Sequence, residues 1–230
     1  MIQIRDLRFA YPGDGFCLQV GELVVAKAER VAWVGPSGSG KTTLLNLVAG
    51  IVLPTAGQVR SCGQNLTELG DSRRRDFRIA NLGLVFQDFA LLDYLSVLDN
   101  ILLPYRINRS LRLSQEVRKR AQELAGDVGL AEMLERRPGE LSQGELQRVA
   151  VCRALVTRPK LVLADEPTAN LDEGNRGLVL DALERHAEQQ GATLVVVTHD
   201  AEVKERLQRV IDVSEYCSEA QAAGGSADGR

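Results

Sequence analysis

The period of apolar positions changes several times along the chain, and each change marks an element. Ile2-Gln3-Ile4 and Leu7-Arg8-Phe9 read as short strands before a turn at Tyr11-Pro12-Gly13-Asp14-Gly15, and Phe16 to Val25 partly alternates in polarity. These segments predict a small antiparallel sheet. Arg30-Val31-Ala32-Trp33-Val34 is a compact apolar run that meets a glycine-rich turn, after which Thr42 to Gly50 has helical spacing and a stopping glycine. Two further apolar runs follow: Leu161-Val162-Leu163-Ala164 ends in Asp165-Glu166, and Thr193 to Val197 ends in Thr198-His199-Asp200. Buried β-branched runs with helices between them predict a parallel sheet, hence an α/β fold.

Between Phe89 and Arg158 no strand pattern occurs, while Ser114 to Val128 and Glu145 to Val156 have helical periodicity with charged faces. This region reads as an inserted helical lobe, about 88–158, within a single domain spanning 1–217 whose core and antiparallel part occupy about 1–87 and 159–217. From Ser218 to Arg230 the chain is rich in Ala, Gly, Ser and Asp, with nothing to bury, and reads as a disordered tail. No internal repeat occurs.

Composition narrows the function classes. The chain has 230 residues, 44% of them apolar, which is enough for one full core. A net charge of -3 gives no field for non-specific nucleic-acid binding, so a nucleic-acid partner is not expected. Cys17, Cys62, Cys152 and Cys217 form no C-x-x-C pair and have no nearby histidine, so they read as reduced thiols in the cytosol. The start, Ile2-Gln3-Ile4-Arg5-Asp6, lacks the order of a secretory signal, and no stretch approaches the roughly 20 apolar residues of a membrane span. Membrane contact is therefore expected only through a partner.

The chemistry begins at Gly35-Pro36-Ser37-Gly38-Ser39-Gly40-Lys41-Thr42, which matches G-x-x-x-x-G-K-[ST] between a predicted strand and a predicted helix. Glycines there let backbone N–H groups curl around phosphates at a helix N-terminus, where the dipole favours negative charge. Lys41 neutralises terminal phosphate oxygens, Thr42 offers a hydroxyl to Mg2+, and Thr43 completes the nucleotide-binding run. The expected cofactors are ATP and Mg2+. A second carboxylate for the metal and a group that aims the attacking water are still needed. Asp165, at the C-terminal end of an apolar strand, supplies the first, and adjacent Glu166 is the expected general base.

Leu141-Ser142-Gln143-Gly144-Glu145 opens a helical segment, and Ser142 with Glu145 three positions on, taken alone, reads as a plain capping box. The whole ordered set, however, resembles the ATP-binding cassette family, the nucleotide-binding domains of ABC transporters, over nearly the full chain. The resemblance implies a P-loop NTPase (RecA-like) parallel-sheet core with a small N-terminal antiparallel β subdomain and an inserted α-helical subdomain. Under it, Leu141 to Glu145 is the signature motif, Ser142 and Gly144 meet the nucleotide of a second copy, and Leu161 to Asp165 is the Walker B strand. Gln87 in Val85-Phe86-Gln87 is the Q-loop residue that contacts Mg2+ or the attacking water. Ala169-Asn170-Leu171-Asp172 resembles the D-loop, and His199 is the switch histidine on the γ-phosphate. Tyr11 stands where the family stacks an aromatic on adenine, with packing on the small sheet as the alternative. His186, on a charged helix, reads as a surface residue. The signature departs from the common Leu-Ser-Gly-Gly-Gln form at Gln143 and Glu145, so the Gln143 side chain must point away from the nucleotide.

Family resemblance further implies that two copies, or two relatives, sandwich two ATP molecules head to tail. A groove near Gln87 then receives a coupling helix from a membrane permease, and the protein lies in the cytoplasm, peripheral on the inner face of the membrane. Asp76 to Gln87, Leu91-Leu92, and Asn100 to Pro104 most resemble the lipoprotein-release, macrolide-export and cell-division ATPases. Two other classes compete: a soluble cassette ATPase acting on DNA or ribosomes, whose coiled coils or zinc hooks are not visible here, and a regulatory nucleotide binder with little turnover.

Overall fold

The computed structural model describes residues 1–12, 16–108, 110–169 and 171–219. Alternation along β1 (Ile2–Ala10) turns Ile2, Ile4, Leu7 and Phe9 inward. The phase slips between Ile4 and Leu7 because Asp6 takes a left-handed φ of 49°, and the register with its neighbour shifts between Arg5 and Arg8. The two short strands expected there are thus one bulged strand. It pairs antiparallel with β2 (Phe16–Val25) on one side. Of the turn expected before β2, Gly13 to Gly15 lie outside the described residues.

β3 (Arg30–Val34) leads through the glycine-rich loop into α1 (Lys41–Val48). Next come β4 (Ala56–Ser61), β5 (Gln64–Asn65), α2 (Asp71–Asn81) and β6 (Leu82–Val85), none of which the polarity pattern reveals. The helical lobe holds α3 (Val97–Ile101), α4 (Leu103–Ile107), α5 (Gln115–Asp127) and α6 (Gln143–Leu155). The chain then runs through β7 (Leu161–Asp165), α7 (Glu173–Gln190), β8 (Thr193–Val197), α8 (Ala201–Glu205), β9 (Arg209–Asp212) and β10 (Cys217–Glu219). β10 pairs with β2, so Ser218 and Glu219, expected in a disordered tail, belong to a strand; 220–230 lie outside the described residues.

Among the described residues two five-stranded sheets form, one ordered β10-β2-β1-β4-β5 and one ordered β6-β7-β8-β3-β9. Every pairing in the second sheet is parallel. Its inner strands β7 and β8 are buried on both faces. Leu161 and Leu163 of β7 and Val195 and Val197 of β8 join Trp33 and the inward face of β1 in one core. The alternating residues Val162, Ala164, Leu194 and Val196 join α5, α6 and α7 in the other. Full burial of each such side chain contributes about 1.5–3 kcal/mol, which ties the antiparallel sheet and the helical lobe to opposite faces of one parallel sheet.

The register levels the carboxyl ends of three strands: Trp33 pairs with Val197, and Val197 with Asp165. Parallel strands that end together deliver the loops after β3, β7 and β8 to one edge, where ligands of open α/β sheets bind. β6 ends on the same side, with Val85 paired to Ala164.

His186 corrects an expectation. It is not a surface residue but is only 9% exposed, on the same helical face as Val179, Ala182 and Leu183. The charged neighbours that suggested exposure, Arg185 and Glu188, lie on the other side of α7. Its Nε2 donates to the Pro159 carbonyl at 3.0 Å. Burial, with Arg158 adding, lowers its pKa below the ordinary 6.5, against the opposing pull of the Pro159 bond. A base with a depressed folded pKa contributes stability above its unfolded value and loses it as pH falls. The free energy of unfolding should therefore decline from about pH 7 downward more steeply in the wild type than in His186→Gln, as read by chemical denaturation at several pH values.

Candidate active site

The four loops at the sheet edge enclose a cleft of about 780 Å3. Its walls include Gly35, Pro36, Ser37, Gly38, Gly40, Lys41, Thr42 and Thr43 from the glycine-rich loop, with Gln87, Asp165, Glu166 and His199 from the others. Tyr11 stands at the antiparallel-sheet end, together with Phe16. Of the residues the sequence assigns to the loop, only Ser39 stands back from the cleft: it is 5% exposed, with its hydroxyl unpaired beneath the loop.

Glycine is required at two loop positions for separate reasons. Gly35 has φ 146°, and a Cβ there would lie 2.6 Å from Ser39 Oγ. Gly40 has φ 86°, and a Cβ would meet the Phe16 ring at 2.7 Å. Both needs are steric: the loop coils on itself and also presses against β2. Lys41 Nζ donates to the carbonyls of Gly35 and Pro36, each at 2.8 Å, so the ammonium spans the mouth of its own loop. Charged phosphate oxygens are stronger acceptors than these two neutral carbonyls, so the amine is poised to turn to an anion.

Thr42 Oγ1 donates to Asp165 Oδ2 at 2.6 Å, joining α1 to the end of β7. Asp165 is 3% exposed, and burial pushes its carboxyl up, opposed by the Thr42 bond and by the charge of Lys41. Glu166 follows in a left-handed conformation, φ 47°, with its N–H donated to the Val197 carbonyl at 3.0 Å. For a residue with a long side chain this backbone costs roughly 1–3 kcal/mol, and it aims the carboxylate into the cleft rather than along the strand. There Glu166 Oε1 lies 2.9 Å from His199 Nδ1. A carboxylate only accepts, so Nδ1 carries the hydrogen, and Nε2 is left for another group.

Tyr11 packs edge-on against Phe9, with ring centroids 4.7 Å apart and planes at 89°, and its hydroxyl sits 3.4 Å from Thr43 Oγ1. The packing alternative for Tyr11 is thus realised, and its ring still lines the cleft. Ser142 and Gly144 are not part of this cleft. Ser142 caps α6: its Oγ accepts from the Glu145 N–H at 3.3 Å, while Glu145 Oε2 accepts from the Ser142 N–H at 2.6 Å and from its Oγ at 2.8 Å. The plain capping box is present, and Gln143 is exposed on the first turn. In the segment Ala169 to Asp172, Asp172 caps α7 through the Asn175 N–H, and Asn170 lies outside the described residues.

Two features escaped the sequence. Asp212, at the end of β9, lies beside Gly35, and bonds from Ser214 hold its carboxyl below the usual range, with Lys41 adding. β9 is short and largely exposed, so no periodicity announces it. Arg153 of α6 donates to the carbonyls of Phe89 and Ala90, just beyond Gln87. An arginine that bonds only backbone carbonyls has no sequence signature.

For a metal, the donors are all oxygens: the Thr42 hydroxyl, the Asp165 carboxylate and the Gln87 amide. Among the described residues no group of three or more His, Cys, Asp or Glu could hold an ion alone. So few protein ligands suit Mg2+, which is commonly held by one or two protein oxygens together with substrate phosphates. Thr42→Val deletes the Thr42 hydrogen bond to Asp165 and leaves its carboxylate less solvated. Unfolding free energy should fall by about 1–3 kcal/mol, read from denaturant melts, and magnesium should cease to tighten nucleotide binding in titrations.

Comparison with known proteins accords with this geometry. Residues 18–169 match the ABC transporter family. The lipoprotein-releasing system ATP-binding protein LolD of Chromohalobacter salexigens is 46% identical over 200 residues, covering 87% of this chain and 84% of the relative. LolD of Geobacter metallireducens is 44% identical, covering 92% and 94%. The macrolide export ATP-binding/permease protein MacB of Syntrophobacter fumaroxidans is 36% identical over 96% of this chain, which spans only 32% of that relative. A dimeric ATP-binding cassette in a post-hydrolysis state, bound to ADP and Pi, superposes with a TM-score of 0.86 at 32% identity, covering 96% of this chain and 99% of that one. The chain belongs to the ABC transporter family, as one of its ATP-binding, ATP-hydrolysing cassettes.

Proposed function

We propose that this cassette drives a separate membrane permease of the lipoprotein-releasing or macrolide-exporting kind, by closing two copies around Mg-ATP and reopening after hydrolysis. The observation that carries the reading is the convergence of Lys41, the Thr42–Asp165 pair and the Glu166–His199 pair on one open cleft. ATP lies with its phosphates in the loop Gly35 to Thr42 and its base against Tyr11. Thr42, Asp165 and Gln87 would hold Mg2+, which would supply charge neutralisation to the bound phosphates. Glu166 takes the proton of the attacking water, and His199, fixed by its Nδ1 bond, presents Nε2 to the γ-phosphate.

One copy leaves its nucleotide open on one side. Ser142 and Gly144 stand at the exposed start of α6, where N–H groups and the helix dipole favour an anion, and they cover the nucleotide of a second copy. A dimeric relative of this fold supports the pairing of two copies. Among the described residues no helix is long and apolar enough to cross a membrane, so force leaves through a docking surface. An apolar groove of about 420 Å3, whose walls include Leu84, Phe86, Leu103, Pro104 and Ile107, lies beside Gln87 and suits the apolar face of a permease helix. On this reading the working protein sits at the cytoplasmic face of the membrane, attached through its partner.

Two measurements test the proposal. Glu166→Gln should keep ATP affinity, lower turnover by at least about a hundredfold, and accumulate as a dimer in ATP on size-exclusion chromatography. A variant that stays monomeric in saturating ATP overturns the sandwich. Ile107, 61% exposed in the groove, is the other handle. Ile107→Glu should abolish the stimulation of ATP turnover by the co-purified permease, read as the ratio of rates with and without it.

A further inference from the structure

Gln147 lies in the second turn of α6, 0% exposed, and neither its Oε1 nor its Nε2 has a hydrogen-bond partner. Almost every buried amide in a native protein is paired, because leaving one unpaired costs about 1–3 kcal/mol. An apolar side chain of the same volume would avoid that penalty. A glutamine held there against its cost points to a partner gained in another state of the protein.

The direction of α6 tells where that partner lies. A Cβ on Gly83, in β6, would come within 2.5 Å of the Ala154 carbonyl oxygen, so the C-terminal part of α6 rests on the start of β6. α6 runs directly into β7, which is parallel to β6, so helix and strand are antiparallel. From Ala154 back to Gln147 along the helix is about 10 Å. The same length of strand is about three residues, which brings Gln147 level with Phe86, next to Gln87.

α6 already holds the far side of this loop. Arg153 grips the carbonyls of Phe89 and Ala90, two residues in left-handed conformations with φ 60° and 47°. One end of the loop is clamped in strained backbone, and the other lies level with a buried amide with both its groups unspent.

We propose that Gln147 is a positioning residue for ATP hydrolysis: its amide pairs with the backbone of the segment Phe86 to Asp88 when nucleotide is bound, and so fixes Gln87 at the reacting phosphate. The inference rests on the role given to Gln87 above. In the open state the amide is unpaired and the loop is free to follow the permease; in the closed state the pairing locks it.

The test uses Gln147→Met and Gln147→Leu, which remove the amide and keep most of its volume, in the full chain. Melting temperature should be unchanged or raised, because no bond present in the open state is lost. KM for ATP should stay within about twofold while kcat falls about tenfold or more, the pattern of an interaction made only on the way to the transition state. In a Gln87→Ala background, Gln147→Met should lower kcat no further, since both losses run through one loop. The proposal is overturned if both variants melt lower than wild type, if kcat is unchanged in either, or if the losses multiply in the double variant. A wild-type chain without ATP turnover would instead sink the reading of the cleft, and this inference with it.

Discussion

The hydrogen bond from Thr42 to Asp165 spans 123 residues of sequence and 2.6 Å of space. It closes only because β3 and β7 end at the same level of a parallel sheet, with β8 between them to set the register. If β7 slipped by one residue, Asp165 would turn toward a helical face and its neighbour would meet the threonine. The two hydrophobic cores can be read as the device that forbids this slip, since each face of β7 is committed to a different set of partners. Catalytic geometry here is a consequence of strand register, and strand register of alternating burial.

Around that fixed pair the other groups differ in how firmly they are held. Glu166 is set by strained backbone, an N–H bond to Val197 and the ring of His199. Lys41 rests on its own loop carbonyls and has only to rotate. Gln87 is exposed on a loop clamped at one end by Arg153. Rigidity falls from the centre of the sheet toward the helical lobe, which suits a machine whose chemistry must stay in register while its edge moves with another protein.

The phosphate loop, the Asp165-Glu166 step and the His199 strand end were legible because each joins an unbroken apolar run to polar residues at a strand terminus. What stayed hidden lacked that contrast. β6 has four residues and follows α2 with no turn between them, so its period never establishes itself. β9 buries one residue of four. His186 was misread because local charge density describes the helix surface, whereas burial follows the helical face shared with Val179 and Leu183. Ser142 shows the opposite case: the capping box and the signature were competing readings of one segment, and the capping box is physically present without displacing the other. Gln147 could not be read at all, since an unpaired amide is a property of packing and has no trace in spacing.

The left-handed backbone at Glu166 sets fold stability and turnover against each other. Glycine at that position would relax the φ of 47° and, by removing strain of roughly 1–3 kcal/mol, give a sturdier protein that still binds nucleotide and no longer has the carboxylate in its site. The residue that strains its own turn is thus the one that turnover requires, and relief of that strain and loss of the chemistry come in the same substitution.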